Sequence, residues 1–199
     1  MDKKAISEQL KIAFDLVQKS YLETSYLIKE VEGILGEEKE QFLLGGGNSR
    51  TARTSGGLDT RSVNLWPIRK MSVFFVEKEY TKQKSGVTLA PLTKDLKVIY
   101  LRIILNEKGI NMPYIYSGVL YGFNKKSPPN DWPKKAEEIP GHIEYSEDRI
   151  LKNIDKIDYK DVRFEFKGSL IKNNLLDINT SEDIAKKIVE PTLDLYRKV

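Results

Sequence analysis

The first forty residues carry apolar side chains at Ile6, Leu10, Ala13, Phe14, Val17, Tyr21, Leu27, Ile28, Val31, Ile34 and Leu35, mostly three or four apart. Glu8, Lys11, Asp15, Lys19, Glu23, Lys29, Glu30 and Glu32 occupy the other faces. This is the period of an amphipathic helix with a wide apolar stripe. At 1.5 Å per residue, a helix over 5–35 runs about 46 Å, while a domain of this length has a radius of gyration of about 16 Å. Such a helix must cross the whole domain or protrude from it. Gly33 and Gly36 predict a break near its C-terminal end.

The middle of the chain changes to strand patterning. Val73-Phe74-Phe75-Val76 is apolar on both faces, and Val87-Thr88-Leu89 fits a short strand. Residues 97–105 (KVIYLRIIL) are β-rich and almost wholly apolar, which marks a central strand. Asn106-Glu107-Lys108-Gly109 supplies turn chemistry before 114–123 (YIYSGVLYGF), so an antiparallel hairpin follows. Residues 124–145 hold four of the eight prolines and read as a connection.

Ser146 fits an N-cap for a short helix with Ile150, Leu151, Ile154 and Ile157 on its apolar face. Residues 161–171 alternate, with Val162, Phe164 and Phe166 opposite Arg163, Glu165 and Lys167. Thr180-Ser181-Glu182-Asp183 resembles a capping box opening the last helix, which Pro191 should kink or restart. The expected architecture is one α+β domain over 1–199. It has a long helix (1–40), a Gly/Arg loop (41–66), and a mainly antiparallel sheet of about four strands with covering helices on one face (67–199).

Composition removes several functions. The 199 residues include no Cys and one His, so disulfide scaffolds, thiolate metal sites, iron–sulfur clusters and cysteine nucleophiles are excluded, as are two-histidine metal motifs. No apolar run approaches membrane-spanning length, and charges near Met1–Ala5 argue against a secretory signal, so a cytoplasmic location is expected. There is no Gly-Lys-Ser/Thr, no strand followed by Gly-x-Gly-x-x-Gly and no Gly-x-Ser-x-Gly, so no cofactor is expected. His142, in Pro140-Gly141-His142, reads as an ordinary surface histidine after a turn. A net charge of +4 is a mild basic balance that permits an acidic partner without demanding one.

The candidate chemistry lies in the glycine–arginine loop. Residues 43–62 hold five of the 13 glycines and, with three arginines against Asp59, a net charge of +2. Backbone N–H groups at Gly46 and Gly47, the Ser49 hydroxyl and the guanidinium forks of Arg50, Arg53 and Arg61 suit phosphate, because Arg presents paired donors that match phosphate oxygens. The same composition also suits a plain linker. Arg102, alone among apolar neighbours on its strand, would need an anion or carboxylate partner if buried. The leading expectation is a non-catalytic protein that engages a phosphate-bearing partner, nucleic acid included, through this loop.

Two other readings stand beside it. Asp161, Glu165 and Lys167 supply the residue types of a magnesium-dependent nuclease, two carboxylates for the metal and a lysine for the attacking water. The element order resembles the helix–three strands–helix–strand core of PD-(D/E)xK nucleases, which carry these groups on their second and third strands. Here the third strand, 114–123, has no charge, and Glu165-x-Lys167 falls one strand later. The last reading is a subunit of a larger complex, or a homodimer, docked through the first helix. Some of Ile6, Leu10, Phe14 and Val17 should project past the sheet, unless Ile184, Ile188 and Leu195 of the last helix cover them.

Overall fold

A computed structural model describes residues 2–44, 50–51, 70–83, 87–89, 94–107, 111–125, 147–161 and 164–199. Helix α1 spans Lys3–Glu37, with the Asp2 side chain accepting the Lys4 N–H at its start. It runs through Gly33 and Gly36 unbroken and stops one residue later. The chain then turns through Gln41, whose φ of 48° is the one positive value on a non-glycine residue among those described.

Strands β1 (Phe42–Leu44), β2 (Arg50–Thr51) and β3 (Lys70–Glu77) come next. A short separate hairpin, β4 (Thr81–Gln83) with β5 (Val87–Leu89), follows. The sheet continues with β6 (Val98–Ile104), β7 (Tyr114–Lys125), β8 (Ile157–Lys160) and β9 (Phe164–Asn174). Its order is β1-β3-β6-β7-β9-β8, antiparallel throughout, with β2 also pairing along β3. The predicted hairpin is its centre. Seven strands stand where about four were expected, because β1, β2 and β8 are too short for an alternation to declare itself.

Every residue of β6 is buried, so the sheet must be covered on both faces. On one face, Val73, Phe75, Leu101, Ile103 and Val119 pack with Leu27, Val31 and Leu35 of α1 and with Ile188 and Leu193 near the C-terminus. On the other, Phe74, Tyr100, Leu120, Phe123, Phe166 and Leu170 pack with Ile150 of the short helix α2 (Glu147–Ile150). The expectation of helices on one face holds for the two long ones, while α2 lies on the opposite face. On β7, Gly122 takes φ +64° where the register with β9 shifts between Tyr121 and Asn124, a bulge that needs a residue without a Cβ.

The last helix begins as predicted, with Thr180 Oγ1 accepting the Asp183 N–H at 3.1 Å. It consists of α3 (Ser181–Ile184), a π-helical turn (Ala185–Val189) and α4 (Glu190–Lys198). Pro191 has no N–H to give the Lys187 carbonyl four residues back. That oxygen accepts from Asn173 Nδ2 instead, at 2.9 Å. The predicted kink therefore takes the form of a π turn pinned to the sheet.

A latch near the C-terminus fixes where α1 meets the sheet. Tyr196 donates its hydroxyl to Glu77 Oε1 at 2.6 Å, and its ring meets Phe42 edge-on at 4.9 Å. Arg197 pairs with Glu38 and Glu40 just beyond α1. Burial pushes the Glu77 carboxyl above its ordinary pKa, and the Arg197 hydrogen bond holds Glu40 below its own.

Candidate functional site

Helix α1 has 35 residues, about 52 Å, and only its second half touches the body. Its buried residues are Thr24, Leu27, Val31 and Leu35, whereas every residue from 2 to 20 is exposed. The overhang is about 27 Å long. The apolar stripe does not end where burial ends. From Leu10 to Leu35 it steps alternately by four and three, through Phe14, Val17, Tyr21, Thr24, Ile28 and Val31. That 3.5-residue repeat is the spacing of a coiled-coil seam. Past Thr24 the stripe lies in the core. Before it, Leu10 is 55% exposed, Phe14 67% and Val17 39%.

At the crossing point the polar atoms are satisfied within the helix, Thr24 Oγ1 donating to the Ser20 carbonyl at 2.8 Å and Ser20 Oγ to the Leu16 carbonyl at 2.9 Å. The C-terminal helix does not cover the overhang, since Ile184 and Ile188 bury against Leu27, Val31 and Leu35 instead. Ile6, Ile12, Leu16, Leu22 and Tyr26 are exposed as well, at least 38% each. The sequence pattern singles out Ile6 and passes over the other four, because they lie off the stripe among charges.

Where α1 leaves the body it forms one wall of a groove of about 670 Å³. Residues 19–30 of the helix face Leu105, Pro113, Leu176, Ile178 and Ile184 across it, and Lys19, Glu23 and Glu30 are the charged residues on its wall. Residues so distant in sequence carry no local signal of a shared cleft.

The loop residues Gly46, Gly47, Ser49, Arg53 and Arg61 lie outside the described residues, as does His142. Arg50 falls on β2, and its register is informative. Arg50 stands opposite Ser72, Ser72 opposite Arg102, Arg102 opposite Tyr116 and Tyr116 opposite Lys172, one row across five strands. Arg102 is 1% exposed, which settles that its strand is fully buried. Its Nη1 donates to Ser72 Oγ at 2.6 Å, and that hydroxyl lies 3.1 Å from Tyr100 OH. At the far end Lys172 Nζ sits 3.6 Å from the centre of the Tyr114 ring, a cation–π contact.

The nuclease trio does not assemble in the same way. Tyr159 OH donates to Asp161 Oδ2 at 2.9 Å, while Asn124 Nδ2 donates to Glu165 Oε1 at 2.7 Å. Lys167 is exposed and stands opposite Asp158 and Tyr121. Among the described residues no three His, Cys, Asp or Glu side chains are grouped to hold a metal, and no helix is long and apolar enough to cross a membrane. Comparison of the chain with protein-family models, with curated proteins and with solved structures gives no match.

Proposed function

We propose that the protein is a non-catalytic subunit of a larger assembly, docked through the first half of α1. One observation carries this reading: residues 2–20 are all exposed although they include Leu10, Phe14 and Leu16, each more than half exposed. Burying a side chain of this size contributes about 1.5–3 kcal/mol, and a free helix of 12–15 residues is only marginal in water. A contiguous apolar face on a projecting helix is the signature of a contact surface. Replacing Leu10 and Phe14 with Asp tests it. The variant should keep the circular dichroism and unfolding midpoint of the isolated subunit and lose the assembly's mass. A wild type that runs as a monomer both in native extract and when purified overturns the reading.

A second reading, engagement of a phosphate-bearing partner such as nucleic acid by the 45–62 loop, has its own support. Arg50 enters the sheet beside Ser72 and Arg102, and Lys172 closes the same row. Substituting Arg50, Arg53 and Arg61 with Ala should weaken polyanion binding. The log–log salt slope should fall by up to about 0.9 for each duplex-DNA phosphate that is no longer neutralised. An unchanged slope in the folded variant assigns the loop to a linker. For the nuclease reading, no observation on the described residues adds support.

A further inference from the structure

We draw no further inference here: the strongest candidate, the groove between residues 19–30 of α1 and Leu105, Pro113, Leu176, Ile178 and Ile184, carries Lys19 beside Glu23 and Glu30 on its wall, so its charges select no one partner and nothing in the structure shows what covers it.

Discussion

A Cβ added at Gly118 would lie 2.1 Å from the Ser169 carbonyl oxygen and 2.8 Å from Leu170 Cα. Both atoms are backbone of β9, so neither can swing aside as a side-chain end could. Ordinary contact needs at least 3.4 Å, so the β7–β9 pair must open locally by about 1 Å or more. Opening it weakens one or two ladder hydrogen bonds, about 1 kcal/mol each, and adds overpacking strain of about 1–3 kcal/mol. Gly118→Ala should therefore destabilise by about 2–5 kcal/mol. Gly33→Ala is the internal control. That glycine lies in α1 with nothing within 4 Å of its would-be Cβ, so alanine should stabilise by about 0.5–1 kcal/mol. Urea unfolding followed by circular dichroism, at unchanged m-value, measures both. A Gly118→Ala protein within about 1 kcal/mol of wild type would refute the close approach of the two strands. So would a Gly33→Ala protein of lower stability for the helix.

The two halves of α1 should answer truncation differently in the isolated subunit. Leu35→Ala, in the core, should cost about 2–5 kcal/mol, and Leu10→Ala should stay within about 0.5 kcal/mol of wild type in the same urea titration. Glu77 gives a pH dependence with a definite sign. Its folded pKa lies above the ordinary 4.5, so the stability tied to its protonated form is fully present below that value and is lost as pH rises through the raised one. Glu77→Gln keeps an acceptor for Tyr196, so it should gain stability relative to wild type as pH goes from 4 to 7, and a gap that narrows instead would contradict the burial. Glu40, held low by Arg197, acts oppositely: its contribution is present above 4.5 and is lost as pH falls below. Arg197→Gln should therefore flatten the stability loss of the wild type between pH 4.5 and lower values, measured by thermal unfolding.

Much of the fold is legible in the sequence because it rests on local periodicity. The almost wholly apolar run of 97–105 marks a central strand, and Thr180 and Pro191 announce the start and the irregularity of the last helix. What escapes depends on partners remote in sequence. Strand β2 is two residues long and exists only through its pairing with Ser72 and Met71. The groove joins the middle of α1 to residues near 105, 113 and 176–184, which no local pattern connects. The exposed stripe follows from length alone, since a helix of about 46 Å outruns a strand of ten residues at about 33 Å. Ile12 and Leu16 do not, because a periodicity argument discards apolar residues that fall off the stripe. The row from Arg50 to Lys172 needs the register of five strands before these positions can be seen to lie opposite one another.

Hydrogen exchange along α1, followed residue by residue in the isolated subunit and in the assembly purified from native extract, tests the docking surface most directly. Amides of residues 24–37 are held by the body and should exchange at the same rate in both. Those of residues 5–20 should be weakly protected in the isolated subunit and strongly protected in the assembly. Protection of residues 5–20 that is the same in the isolated subunit and in the assembly would contradict the account, because the interface would then lie away from the overhang.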